Sequence, residues 1–479
     1  MKQITQRKNR NRIIASLLFT LFLITGIILF LSRTKEDFGR QPTTSVLYKL
    51  SDIYTAGSIF DRNHTLIAKG LSIGQMQWNE DNTIRQSFSN IIGAPIKKTS
   101  ASCYSVLGMA APTLYGYHKT CLDDWKQWIF PQSKNGEPIY LTIDVDIQSA
   151  IYHSTKQFDN AVVTVSNYQT GEILGMVSLP TFDPTDPDSI VVDENGFIDT
   201  TYHHSCYINK NLQTSFLPGS TIKPILLGIA LDINPDLVNM TYNCKKTTHN
   251  FHGISVGCYD GEYHGKVDFE SALCCSCNGY PIQLLSQIEE SDFEQGLLQL
   301  GLDSNETYPN RFAAVGSTFY GNGEHDIANR TLATIGQANC RMTVWYLTSL
   351  YAAIFNDGIW KNPTIFYNDP NQLGKGNLEE TLIYTKNTAS ILKKALIAVT
   401  KKGTAAVYDM SSLGFTIAGK TGTADTASGK RTVWAVAGII DNQKPYVITV
   451  CLPDQREDAS GSTVAGPVMR EILLKLLQK

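Results

Sequence analysis

Apolar strands near both ends of a largely helical middle predict an α+β domain, its sheet completed by chain segments distant in sequence. One hairpin signal is Ala161–Ser166 and Ile173–Ser178 around Gln169-Thr170-Gly171-Glu172, two apolar runs about a turn. A second is Thr432–Ile440 and Tyr446–Leu452 around Asp441-Asn442-Gln443-Lys444-Pro445. The length of 479 residues predicts two or three domains.

Taken in order, residues 1–12 carry five bases and no acid, and Ile13–Ser32 follows without a charge. At ~1.5 Å per residue that segment reaches ~30 Å, a bilayer's hydrocarbon thickness. Leu31-Ser32-Arg33-Thr34 offers no small-x-small cleavage site, so a retained anchor is expected. The bases place the N-terminus in the cytoplasm and the rest outside the membrane. Residues 33–50 read as a polar stalk, and Gly57–Ala68 as strand, turn, strand, its turn at Asp61-Arg62-Asn63-His64. A weakly patterned stretch with Trp78, Trp125 and Trp128 ends at a linker, Ser133–Pro138. Ile139–Ile143 then reads as a strand and Asp144–Phe158 as a helix, with apolar Val145, Ile147, Ile151 and Tyr152. Phe269–Cys275 and the C-terminal Pro467–Lys479 are helical, and Phe415–Gly419 is a short strand.

The chain is 42% hydrophobic and 18% charged with a net charge of −3, which excludes wholesale disorder and small disulfide scaffolds. With five bases and no acid in the first twelve residues, the remainder is net acidic and has no footprint for nucleic acid. Cys244 and Cys258 flank a Gly/His-rich loop and can form a local disulfide in an oxidising compartment. Cys274-Cys275-Ser276-Cys277 matches Cys-x-x-Cys, but no second ligand pair follows at metal-site spacing, so no metal is expected.

Three short motifs carry chemistry. Ser220 and Lys223 stand in Pro218-Gly219-Ser220-Thr221-Ile222-Lys223-Pro224, ahead of an apolar helical run. Three residues apart on a helix share a face, so a lysine with a lowered pKa can take the serine proton. The helix start supplies free N–H groups for a developing oxyanion. Ser276-Cys277-Asn278 sets two polar side chains towards one cleft while Cys277 points inward. In Lys420-Thr421-Gly422-Thr423, Gly422 lets an extended peptide approach the strand edge. The other Ser-x-x-Lys matches, Ser32/Lys35 and Ser390/Lys393, follow no Pro-Gly turn, and Gly253-Ile254-Ser255-Val256-Gly257 lacks the strand and helix of a nucleophile elbow.

This ordered triple is similar to the active site of penicillin-recognising transpeptidases, and the chain resembles a class B penicillin-binding protein of a short form. Leu141-Thr142-Ile143-Asp144, Thr170–Ser178, Phe182-Asp183-Pro184, Gly336-Gln337, Ala353–Gly358 and Trp434–Gly438 support the match. Gly57–Ala68 resembles the family's membrane-proximal signature, with Ala56 where an arginine is usual and His64 where a glycine is usual. The resemblance implies the penicillin-recognising fold, an antiparallel sheet flanked by helices with an all-helical subdomain. It divides the chain into a cytoplasmic tail (1–12), a transmembrane helix (13–32), a membrane-proximal pedestal (33–138) and a transpeptidase domain (139–479). By resemblance Ser220 attacks the penultimate D-Ala carbonyl of a stem peptide ending in D-Ala-D-Ala, with Lys223 as base. Ser276 relays the proton to the departing D-Ala, Lys420 orients Ser276, and Asn278 holds Lys223 and the substrate amide. Thr421 and Thr423 bind the terminal carboxylate, and the N–H groups of Ser220 and Thr423 form the oxyanion hole. The same resemblance implies inhibition by β-lactams, no cofactor, and a polytopic glycosyltransferase partner of the shape, elongation, division and sporulation (SEDS) type. The rivals are an inactive cell-wall scaffold, a D,D-carboxypeptidase and a β-lactamase, although the E-x-x-L-N motif of class A β-lactamases is absent.

Overall fold

The computed structural model describes residues 13–27, 56–72, 75–93, 104–115, 136–186, 206–245, 249–251, 253–302, 315–321, 325–367 and 380–478. The stalk, Trp125, Trp128, Ser133–Asn135 and the Ser32/Lys35 pair lie outside them. Of the expected membrane span, residues 13–27 are described. They are helical, and among the described residues no helix is long and apolar enough to cross a membrane.

The strands run β1 (Ile59–Phe60), β2 (Leu66–Ser72), β3 (Gln75–Trp78), β4 (Ile139–Tyr140), β5 (Val162–Asn167), β6 (Ile173–Ser178), β7 (Tyr242–Cys244) and β8 (His249–Phe251). They continue as β9 (Ile254–Val256), β10 (Gly265–Val267), β11 (Ile359–Trp360), β12 (Thr381–Leu382), β13 (Ile417–Asp425), β14 (Arg431–Ile439) and β15 (Tyr446–Gln455). The two expected hairpins form and join. The main sheet has the order β13-β14-β15-β5-β6, and every neighbouring pair is antiparallel. The closing pair is β15 on β5, registered from Tyr446 opposite Asn167 to Cys451 opposite Val162.

Both faces of this sheet are covered, which is why its strands read as unbroken apolar runs. Gly175, Val165, Ile448, Ala437 and Gly419 form one cross-strand row. A Cβ on Gly175 would lie 2.6 Å from Ile151, so helix Val145–Thr155 covers that face. Gly438 points the other way, and a Cβ there would lie 2.3 Å from Phe355 of helix Val344–Phe355. Lys420 and Gly422 share Gly438's face, the side on which the helical middle of the chain packs.

The first hairpin docks onto the main domain through buried Asp61. Its carboxylate accepts from the N–H groups of Asn63 and Thr65 within the turn and of Val145 at the helix start. His64 sits at φ 63°, the left-handed conformation for which glycine is the usual residue. β1 pairs in parallel with β4, so one four-stranded sheet, β3-β2-β1-β4, spans the boundary expected at residue 138. The strand expected over Ile139–Ile143 stops at Tyr140, because Thr142 turns its N–H to Ile365 O and its hydroxyl to Ile173 O.

Candidate active site

Ser220 lies in a 3-10 turn, Gly219–Ile222, that runs directly into helix Lys223–Ile233. Pro224 falls within the first turn of that helix, where a missing N–H costs little. Neighbouring side chains brace the Ser220 turn. Trp434, fully buried on β14, donates Nε1–H to Leu217 O at 2.8 Å, and Tyr351 donates its hydroxyl to Thr221 O at 2.7 Å. Gly219 donates its N–H to Gly336 O at 3.1 Å, which brings the Gly336-Gln337 block against the turn. Gly219 has φ 53°, and a Cβ there would lie 2.4 Å from Thr423 O and 3.0 Å from Thr423 N. That approach sets the Ser220 turn against the amide of Thr423.

Lys223 is 1% exposed, and its Nζ donates to Asn278 Oδ1 at 2.6 Å, Ser276 O at 2.7 Å and Cys277 O at 3.1 Å. Three acceptors match the three donors of an ammonium, yet none is an anion. Burial accordingly pushes the lysine down to about 8. Asn278 keeps its place by donating Nδ2–H to Gly257 O at 2.7 Å.

Lys420 is fully buried and donates to Ser276 Oγ at 2.9 Å and Thr421 O at 3.0 Å. Burial, followed by the nearby Lys223 charge, holds it well below its ordinary value. Ser276 occupies the left-handed region at φ 56°, an unusual conformation for serine that aims Oγ at Lys420 and its carbonyl at Lys223. Cys277 between them is fully buried, as the alternation required.

The Lys420-Thr421-Gly422-Thr423 motif lies within β13 rather than after a short strand, since pairing with β14 continues to Asp425. Thr421 is buried and donates its hydroxyl to Thr404 Oγ1 at 2.7 Å, while Thr423 Oγ1 accepts from Gly461 N–H at 3.0 Å. Gly422 has a use the sequence did not disclose. A Cβ there would lie 2.8 Å from Pro218 O and from Thr221 Cγ2, so the glycine seats the Ser220 turn against the strand. Thr404, Tyr351 and Gly461 were also missed, because each acts through a contact that no local pattern announces.

The other candidates stay apart from this cleft. Ser390 and Lys393 lie on helix Lys386–Lys402, where Lys393 bonds Phe355 O and Asp357. Ser255 is exposed on the two-stranded ribbon β8-β9. The local disulfide is not formed: the Cys244 and Cys258 sulfurs are free thiols 3.7 Å apart, far beyond a bond of ~2.05 Å.

A family model for the penicillin binding protein transpeptidase domain matches residues 161–474. The chain belongs to that family. Penicillin-binding protein 3 of Bacillus subtilis is 28% identical over 62% of this chain and 44% of its own length. A peptidoglycan D,D-transpeptidase FtsI homolog of Mesostigma viride is 26% identical over 71% of this chain and 61% of its own. The chain thus spans about half the length of these curated relatives. In three dimensions, penicillin-binding protein A of M. tuberculosis, solved as a ceftriaxone acyl-enzyme, superposes with a TM-score of 0.73 at 20% identity. That match covers 90% of this chain and all of the other. A transpeptidase domain from Eggerthella lenta gives 0.70 at 18% identity, over 88% of this chain and 98% of its own. These two likenesses are likenesses of fold.

Proposed function

We propose that this chain is a peptidoglycan D,D-transpeptidase that crosslinks stem peptides through a Ser220 acyl-enzyme. The observation that carries the reading is the convergence of two buried lysines on one loop, Lys223 on Asn278 and Lys420 on Ser276, beside the Ser220 turn. In its neutral form Lys223 takes the proton from Ser220 Oγ as that oxygen attacks the penultimate D-Ala carbonyl. The tetrahedral oxyanion is met by the N–H groups of Ser220 and Thr423, whose proximity the Gly219–Thr423 contact supports. As the C–N bond breaks, Ser276 passes a proton to the D-Ala amine and takes in its place the one Lys223 removed from Ser220, while Lys420 holds that hydroxyl in position. The hydroxyls of Thr421 and Thr423 receive the terminal carboxylate. An amine of a second stem peptide then attacks the ester, Ser220 recovers its proton, and the crosslink is made. A β-lactam enters the same path but carries no leaving group that departs, so it remains on Ser220.

The proposal includes a membrane anchor at residues 13–32, a cytoplasmic N-terminus and a pedestal and catalytic domain outside the membrane. The exposed Ile13, Leu17, Leu18, Phe22 and Ile27 side chains support it, as do the hydroxyls of Thr20 and Thr25, each bonded back to its own helix. A SEDS-type glycosyltransferase partner rests on the family resemblance. The test is incubation of the full chain with a D-Ala-D-Ala pentapeptide donor and an amine acceptor. A crosslinked product with one D-Ala released per crosslink is expected. Release of D-Ala with hydrolysed donor alone overturns transfer in favour of a carboxypeptidase, and no release overturns the enzymatic reading.

A further inference from the structure

Behind the Ser276-Cys277-Asn278 loop, four side chains from separate segments converge. Cys244 ends β7, and His264 immediately precedes β10, whose Gly265 pairs with Cys244. Cys258 follows β9, and Cys277 is the middle residue of the active-site loop. Their donor atoms all lie within 4.8 Å of one another. The sulfurs of Cys244 and Cys258 are 3.7 Å apart, those of Cys258 and Cys277 3.9 Å, and Cys244 Sγ is 3.5 Å from His264 Nδ1.

We propose that Cys244, Cys258, His264 and Cys277 form a structural zinc site that clamps the catalytic loop. Tetrahedral zinc with Zn–S of ~2.3 Å and Zn–N of ~2.0–2.1 Å separates its ligands by ~3.8 Å for sulfur pairs and ~3.5 Å for sulfur and nitrogen. The three separations of 3.7, 3.9 and 3.5 Å match that edge length, and the two sulfur pairs are nearly twice a disulfide bond apart. Soft thiolates with one imidazole, and no carboxylate among the four, select zinc over magnesium or calcium. Cys244 and Cys277 are buried, and Cys258 and His264 are half-buried.

The surroundings fit a ligated metal as well. Asn278 N–H donates to Cys258 Sγ at 3.3 Å, the kind of bond that supports a thiolate ligand. The His264 Nε2, on the ring edge away from the sulfurs, is buried, makes no hydrogen bond, and lies 3.7 Å from Glu262 Oε2. A carboxylate on that side electrostatically favours a proton on Nε2, the tautomer in which Nδ1 is free to ligate. Zinc with three thiolates and a neutral imidazole carries one net negative charge, and the Lys223 ammonium is bonded to the Cys277 carbonyl beside it. On binding, the three thiol protons leave to solvent. The site ties β7, β10 and the β9 loop to Cys277, and so holds Ser276 in its left-handed conformation and Asn278 against Lys223. It explains why three thiols stand together without forming a disulfide.

The test measures metal on the full chain, purified in detergent under reducing conditions with zinc supplied and then dialysed. About one zinc per chain is expected by plasma mass spectrometry, and Co²⁺ in its place should give tetrahedral cobalt–thiolate absorption. His264→Ala should lose the metal. His264→Cys should keep it, with a cobalt spectrum moved towards four thiolates, an outcome that general misfolding cannot produce. Less than ~0.2 zinc per wild-type chain, cobalt bound without thiolate bands, or a Cys244–Cys258 disulfide in the non-reduced protein overturns the proposal.

Discussion

Gly219→Ala probes how closely the nucleophile turn must sit on β13. Gly219 has φ 53°, where an alanine costs about 1–2 kcal/mol. Its new Cβ would lie 2.4 Å from Thr423 O and 2.7 Å from Thr423 C, both backbone atoms in a strand paired along its length with β14. Overpacking of that kind costs about 1–3 kcal/mol more. Relief comes from the turn, which is held by single hydrogen bonds from Trp434, Tyr351 and Gly219 itself, rather than from the strand. A displacement of about 1 Å between Ser220 and the Thr423 amide is expected to slow acylation by ~10²-fold. The assay is the second-order rate of acylation by a fluorescent penicillin, with the melting temperature measured alongside. A rate within ~3-fold of wild type, a difference below about 0.7 kcal/mol, together with an unchanged Tm refutes the reasoning.

Other consequences are equally direct. Lys420→Met removes the donor to Ser276 Oγ, so acylation should fall by ~10²–10⁴-fold, while Tm holds or rises because a buried amine without an anionic partner is gone; a clear fall in Tm contradicts this. Asp357 is held below the ordinary carboxylate range by Lys393 and then Lys386. Its stabilisation is present above that range and lost as pH falls through the lowered value. Asp357→Asn should therefore cost under ~1 kcal/mol at pH 7, screened by solvent, and progressively less as the pH is lowered below the ordinary carboxylate range, as read by denaturant titration at falling pH. Deleting residues 1–32 should move the protein from the membrane fraction to the soluble fraction with penicillin acylation intact, and retention in membranes speaks against the anchor.

Much of this was legible because the signals are local. The hairpins of the main sheet announced themselves as apolar runs about turns, and the helix at Val145–Thr155 by its spacing. Ser220, Lys223, Ser276, Asn278 and Lys420 were legible as short motifs in a fixed order. The unread part consists of relations between distant segments. Nothing in Ile59–Phe60 announces a parallel partner at Ile139–Tyr140, and the need for glycine at 422 comes from Pro218 and Thr221, two hundred residues upstream in chain terms. The cysteines show the same limit. Cys-x-x-Cys spacing directed attention to Cys274, whereas the converging set draws single residues from four places, with His264 positioned by the pairing of β10 on β7.

The central claim is that Ser220, served by Lys223 and the Lys420–Ser276 pair, is an acylating nucleophile. Intact-mass analysis of the purified protein with penicillin, beside Ser220→Ala, tests it most directly. The account predicts one stable penicilloyl adduct on the wild type and none on the variant. An adduct that persists in Ser220→Ala, or no adduct on the wild type at any dose, would contradict it.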